Sequence, residues 1–105
     1  MVQRLLHARG VRGNLCKTQE GVVDKVDTLQ EVMEERCRQD VKWGERNHSH
    51  LYWLGILVEE VGEVSRCLID SQDGDGNELR RELVQVTAVG LAWLEAMERA
   101  REVSR

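Results

Sequence analysis

Apolar residues recur at helical spacing in three long segments of the chain. In the first, from about residue 18 to residue 40, the stripe consists of Val22, Val26, Leu29, Met33 and Cys37. Spacings of three and four residues place such side chains on one face of an α-helix. The pattern therefore predicts a first amphipathic helix that buries this stripe, with Thr18 as its N-cap.

Two further segments carry the same signal. A second helix is predicted from about residue 50 to 69, capped by Ser49, with an apolar stripe of Leu54, Leu57, Val58, Val61, Val64 and Leu68. A third is predicted from about residue 77 to 103, capped by Asn77, with a stripe of Leu79, Leu83, Val86, Val89, Trp93 and Met97. The turn-rich segment 71–76 between them is short, which predicts antiparallel neighbours. The polar segment 41–49 is predicted to be a loop.

Length and composition fit one small all-α domain with three main helices. The chain has 105 residues and no proline, which is enough for one domain and not for two. Three helices of this size bury a modest core, so such chains often gain stability by forming oligomers. Residues 1–17 contain two glycines and lack a clear period. We therefore expect a flexible N-terminal arm over 1–17 and the helical domain over 18–105.

Charge and cysteine content narrow the classes of partner and compartment. The net charge of -4 argues against a nucleic-acid polymer, which normally binds a basic face. The three cysteines are widely spaced and odd in number, so a reducing cytoplasm is expected rather than a disulfide framework. No apolar run has the length of a membrane span or of a signal-peptide core. A cytoplasmic protein without a membrane partner is predicted.

Acidic residues interrupt the apolar face of the second helix. Glu60 and Glu63 are three residues apart within Glu59-Glu60-Val61-Gly62-Glu63, so they project from one face of a helix. On the third helix Glu82 and Gln85 have the same spacing. Across an antiparallel pair, three carboxylates and an amide oxygen could bind Mg²⁺ or Mn²⁺.

A plainer explanation stays open from the spacing alone. The glutamates could lie on solvated helix faces, with Glu63 paired to Arg66 and Glu82 to Arg81. The role of the two tryptophans near the start of the second helix is equally open. Trp43 and Trp53 could stack on a nucleobase or could close one end of the helical core.

Several of these segments resemble the MazG-like, all-α nucleoside triphosphate pyrophosphohydrolase family. They are Lys42-Trp43-Gly44, His48, Trp53, Glu59-Glu60-Val61-Gly62-Glu63 and Glu82-Leu83-Val84-Gln85. The family pattern is EExxE followed, after a gap, by ExxD, and the resemblance covers roughly residues 25 to 100. The chain departs from the pattern at Gln85, where the family has Asp. A glutamine offers an amide oxygen but no charge.

The resemblance implies a reaction and a set of site residues. The reaction is Mg²⁺-dependent hydrolysis of a nucleoside triphosphate to the monophosphate and pyrophosphate, which removes unwanted nucleotides from the pool; Mn²⁺ is an alternative metal. The metal ligands would be Glu60, Glu63, Glu82 and Gln85, and Glu59 would orient the attacking water. Substrate contacts would come from Lys42, Trp43, His48 and Trp53. The resemblance also implies a four-helix-type bundle completed by a homodimer or a dimer of dimers.

The departure at Gln85 keeps a second class of function open. A chain that has lost full metal ligation could serve as a non-catalytic helical oligomeric interaction module, or as a regulator that binds nucleotide without hydrolysing it. Thermal melting with and without Mg²⁺ separates the two classes, because a true ligand cluster is stabilised by its cation.

Overall fold

The computed structural model describes the backbone of residues 19–70 and 76–104, and the side chains of 24–70 and 76–104. Within these ranges the chain forms three α-helices and no β-strand: α1 (Gln19–Trp43), α2 (His50–Asp70) and α3 (Gly76–Ser104). The all-α prediction with three main helices is confirmed. The predicted arm over 1–17 and the Thr18 cap lie outside the described residues.

The helix ends follow local capping chemistry. Helix α1 continues to Trp43, so the predicted loop over 41–49 begins three residues too early. Gly44 ends α1 with a φ of 73°, and its N–H donates to the carbonyl of Asp40 at 2.8 Å. This is the left-handed C-terminal cap that favours glycine. The Tyr52 N–H donates to the Ser49 hydroxyl at 3.2 Å, which confirms Ser49 as the cap of α2. The predicted cap Asn77 lies one residue inside α3.

Residues from Glu31 onward form one compact unit, and the preceding part of α1 belongs to another. Within the larger unit, α2 and α3 are antiparallel. Trp53, near the start of α2, packs on Val89, Ala92 and Ala96 in the second half of α3. By contrast, α1 runs in the same direction as α3, since Glu31 pairs with Arg80 and Arg36 with Glu95.

The core is built largely from small residues on α3. Ala88, Ala92 and Ala96 are four residues apart and buried, so they form one row along the helix. Trp53 of α2, with 1% of its surface exposed, covers one part of α3. Val32 of α1 packs with Val84 and Ala88 in a second cluster.

The predicted core face of α1 is wrong. Val26, Leu29, Met33 and Cys37 are exposed, and the side chain of Val22 lies outside the described residues. The buried positions are Val32, Arg36 and Gln39, about 100° round the helix from the predicted stripe. The side chains of Arg36 and Gln39 point inward because each finds hydrogen-bond partners there. These bonds remove most of the free-energy cost of burying a polar group.

Helix α2 also buries a different face from the predicted one. Leu57 and Val64 are half-buried, but Leu54, Val58, Val61 and Leu68 are exposed. The inward face instead carries Trp53, Leu57, Glu60, Val64 and Cys67. On α3, likewise, Val89 is buried as predicted and Leu83 and Met97 are exposed. Each helix therefore keeps apolar side chains on an outward face. No helix in the described ranges is long and apolar enough to cross a bilayer.

Candidate functional site

Glu60 occupies an inward position on α2, between two turns of apolar side chains. It lies seven residues after buried Trp53 and seven before buried Cys67, so all three share one side of the helix. Burial raises the pKa of its carboxyl, and the negative charge of Glu82 on α3 raises it further. Glu60 is thus held where its own ionisation is unfavourable.

Three more carboxylates act on Glu60. The charges of Glu59, Glu63 and Glu35 each raise its pKa as well. We refer to these five residues, Glu35, Glu59, Glu60, Glu63 and Glu82, as the acidic cluster. Three helices contribute to it, whereas the sequence pattern indicated two. Glu35 on α1 is the residue that the sequence analysis missed.

Glu35 reaches the cluster because it belongs to the inward face of α1. Its side chain is only 14% exposed, and it accepts hydrogen bonds from Arg38 at 2.9 Å and Gln39 at 3.3 Å. The available signal was the polar stripe formed by Glu35, Arg36 and Gln39 at helical spacing, next to Val32. The neighbouring apolar stripe of α1, which includes Val26, Leu29 and Met33, has more members and so predicts a different core face.

Glu63 and Glu82 share a cavity of about 290 Å³ between the end of α2 and the start of α3. Arg66 and Arg81 also line this cavity. In the described part of the chain, neither arginine is within ion-pair distance of Glu63 or Glu82. The alternative pairing suggested by the sequence is therefore not formed, and these carboxylates keep free oxygen atoms at the cavity.

The donor chemistry of the acidic cluster fits a hard divalent cation, although its side chains do not converge on one point. Over 24–70 and 76–104, no three His, Cys, Asp or Glu side chains are close enough to hold an ion as they stand. Gln85 is half-buried on α3, one turn beyond Glu82. Carboxylates held close together repel one another at neutral pH, and a bound Mg²⁺ would remove this repulsion.

The residues predicted to contact a substrate gather at the other end of α2. His48 stacks on Tyr52 with ring centroids 4.4 Å apart and meets the edge of Trp53 at 5.0 Å. Lys42 lies over Trp43, with its ammonium 4.6 Å from the ring centroid. We call this region the aromatic end; it consists of Trp43, Arg46, His48, Trp53 and Trp93. Trp53 is two helical turns, about 10 Å, from Glu60 along α2.

Arg46 contacts both Trp43 and Trp53, the two tryptophans that were predicted to contact a substrate. Its guanidinium carbon lies 4.9 Å from the ring centroid of Trp43 and 5.2 Å from that of Trp53. Trp53 also stacks parallel to Trp93 at 6.4 Å, and the Trp93 indole N–H donates to Nδ1 of His50 at 3.0 Å. An open cavity of about 890 Å³ lies beside Trp53 and Trp93, in the size range of a small-molecule site.

A buried ion pair beside the aromatic end joins α1 to α3. Arg36, with 6% of its side chain exposed, binds Glu95 and donates to Asp40 at 2.8 Å and Gln39 at 3.3 Å. Burial alone lowers the pKa of Arg36, but the hydrogen bonds and charges of Glu95 and Asp40 outweigh it, so the pKa is raised. The guanidinium stays charged and fixes α1 against α3.

Comparisons with protein-family models, with curated proteins and with solved structures find no match for this chain.

Proposed function

We propose that the protein is a Mg²⁺-dependent nucleoside triphosphate pyrophosphohydrolase, with the acidic cluster as its reaction centre. The observation that carries the proposal is the inward position of Glu60, whose pKa is raised by burial and by four neighbouring carboxylates from three helices. A carboxylate with unfavourable ionisation, and with no hydrogen bond or ion pair to any of the described residues, is typical of a functional position. The MazG-like resemblance of the sequence supports the same assignment.

In this proposal Glu60, Glu63 and Glu82 hold the metal, and Gln85 adds a neutral oxygen. When bound, Mg²⁺ would neutralise the negative charge on the phosphate oxygens. Glu59 is exposed next to Glu60 on α2, where it can hold a water and accept its proton. The water oxygen bonds to the α-phosphorus, the bond from that phosphorus to the bridging oxygen breaks, and pyrophosphate leaves. The aromatic end receives the base on the exposed indole of Trp43 and on His48, which buried Trp53 supports from the core, and Lys42 faces the phosphates.

Dimerisation belongs to the same proposal, because α2 has an unpartnered apolar stripe. Leu51, Leu54, Val58, Val61 and Leu68 are all exposed. The first four follow the alternating spacing of three and four residues that marks a helix-packing seam, and Leu68 lies two turns further along the same face. Each partner buries about 800 Å² in a typical interface, so this stripe would supply part of the contact area. A second copy of this chain, packed on α2, would complete a four-helix-type bundle.

The test is pyrophosphate release from a panel of canonical and modified nucleoside triphosphates with Mg²⁺ or Mn²⁺. Release by the wild type, lost in Glu60→Gln/Glu63→Gln, is expected. Glu98→Gln is the matched control, because Glu98 lies on the exposed face of α3 and pairs only with Arg101 in the described residues. The proposal fails if the folded wild type releases no pyrophosphate, or if the double variant keeps full activity.

One observation favours a second candidate, a non-catalytic oligomeric helical module. The outward stripe of α2 provides a binding surface whether or not the acidic cluster holds a metal. This candidate predicts a stable dimer with no turnover and no increase in melting temperature with Mg²⁺ beyond that given by an equal ionic strength of NaCl. The pyrophosphohydrolase predicts a specific increase.

A further inference from the structure

A second polar cavity lies at the aromatic end, and its arginines have no role in the proposed hydrolysis. Its volume is about 250 Å³, and Arg36, Arg46 and Arg99 line it together with the indole of Trp53. Three carboxylates, Asp40, Glu45 and Glu95, also line it. The charges are equal in number, so the question is which cation has a partner.

Two of the three arginines are satisfied by carboxylates. Arg36 is held by Glu95 and Asp40. Arg99 lies 3.5 Å from Glu45, and it also donates to Asn47 at 3.0 Å. These contacts use all three of the cavity's carboxylates.

Arg46 is the cation that remains. Across 24–70 and 76–104 no carboxylate is within ion-pair distance of its guanidinium. Its one hydrogen bond from the side chain is a long contact of 3.4 Å to Gln39. Burial, and then the positive charge of Arg36, lower the pKa of Arg46. A guanidinium has five N–H donors, so most of those on Arg46 have no acceptor within this part of the protein.

Trp53 provides an independent sign of a missing acceptor. Its side chain is buried, and its indole N–H has no hydrogen-bond partner among the described residues. Buried polar groups are nearly always hydrogen-bonded, and an unpaired one calls for an unseen partner. Two donors on residues that line the same cavity therefore lack acceptors. The open N–H donors of Arg46 are met by a ligand that only accepts hydrogen bonds and carries negative charge.

We propose that this pocket binds a phosphoryl oxyanion through Arg46, without a metal ion. Its volume suits a phosphate-sized group and is smaller than that of typical pockets for whole drug-sized ligands. Arginine recognises phosphate oxygens with paired N–H bonds. The adjoining cavity of about 890 Å³ shares Trp53, Arg99 and Glu45 with the pocket. The phosphoryl group therefore comes either from free phosphate or pyrophosphate, or from a nucleotide whose ring occupies the larger cavity.

The probes are inorganic phosphate, pyrophosphate, a nucleoside monophosphate and the matching nucleoside, each with EDTA at constant ionic strength. Trp43 and Trp53 flank Arg46, so tryptophan emission reports occupancy, and calorimetry provides the affinity. Saturable binding is expected for the phosphate-bearing probes. A monophosphate that binds more tightly than phosphate and the nucleoside identifies a nucleotide; equal binding of phosphate and monophosphate identifies a free anion.

Arg46→Gln is expected to weaken phosphate binding by about tenfold or more, since it removes the charged donor. Arg46→Lys keeps the charge and loses the planar fork, so it should retain only part of the affinity. Arg101→Gln is the control, because Arg101 is exposed and bound to Glu98. Circular dichroism establishes that each variant is folded.

The inference is overturned if folded wild type shows no saturable binding up to roughly 10 mM probe, or if Arg46→Gln binds as the wild type does. In either case Arg46 serves only to hold the two indoles together. The proposed hydrolysis is judged separately. Glu60→Gln/Glu63→Gln should leave metal-free phosphate binding intact, so failure of one proposal does not imply failure of the other.

Discussion

Replacing Glu95 by glutamine tests how far the buried Arg36 depends on its carboxylate partners. Arg36 is 6% exposed, whereas Glu95 is 35% and Asp40 56% exposed. Removing one partner of a fully buried pair costs about 3 to 5 kcal/mol, mostly from the charge left unpaired. Because Asp40 remains bonded at 2.8 Å, we expect Glu95→Gln to lower the free energy of unfolding by about 2 to 3 kcal/mol. Asp40→Asn, at the solvated side, should cost about 1 kcal/mol or less.

Urea denaturation followed by far-UV circular dichroism measures both variants. The expected loss in Glu95→Gln corresponds to a fall in melting temperature of roughly 10 to 20 °C for a domain of this size. Arg36→Met/Glu95→Gln should recover much of the stability, because no buried cation remains. Glu98→Gln, in the exposed pair with Arg101, should change stability by less than about 0.5 kcal/mol. Equal losses in Glu95→Gln and Asp40→Asn would refute the argument, since burial would then not decide the cost.

Three further predictions concern the acidic cluster and the outward stripe of α2. Because the folded-state pKa of Glu60 is raised, its stabilising contribution is present below the unfolded-state pKa and is lost as pH rises through the raised value. Metal-free Glu60→Gln should therefore unfold at higher urea than wild type near pH 7, with the gap closing on acidification; a less stable variant at pH 7 would contradict this. Gln85→Asp should increase the rise in melting temperature caused by Mg²⁺, and an unchanged rise would exclude this position from the site. Leu54→Glu/Val58→Glu should yield a monomer by analytical ultracentrifugation, whereas Val41→Glu should leave the assembly unchanged; a dimer in the double variant would place the interface elsewhere.

The positions of the helices were predictable because they depend on local spacing and caps. The predicted helices match the described ones to within three residues at every end. Ser49 performs the capping role expected of it. The three-residue error at the end of α1 arises because Gly44, with its positive φ, stops the helix there. The polar character of Lys42 and the residues after it indicated a loop too early.

The faces that pack together were harder to predict, because each helix carries an outward apolar stripe besides the face that it buries. On α1 the stripe of Val26, Leu29 and Met33 has more apolar members than the buried face. Hydrophobic spacing alone could not reveal that Arg36 finds acceptors 59 residues later in the chain at Glu95. Long-range polar pairing of this kind leaves no local pattern.

The candidate site was only partly predictable, because spacing along one helix fixes some of its residues and contacts between helices bring in the others. Glu60, Glu63 and Glu82 share a pattern at fixed spacing on two helices, so the sequence could point to them. Glu35 joins them through the packing of α1, and Arg46 acquires its position from two separate indoles. Neither feature depends on neighbours in sequence.

The direction of the helices has a consequence for the order in which the chain folds. Contacts between α2 and α3 join segments that are close in sequence, whereas α1 meets α3 across 49 and 59 residues, at Arg80 and Glu95. Contacts over long separations form late, because a large loop must close first. During synthesis α1 emerges before its partner exists, and its apolar stripe and Val32 stay in water until most of α3 has been made. The interval before docking is the stage at which this chain is most exposed to aggregation and to chaperones.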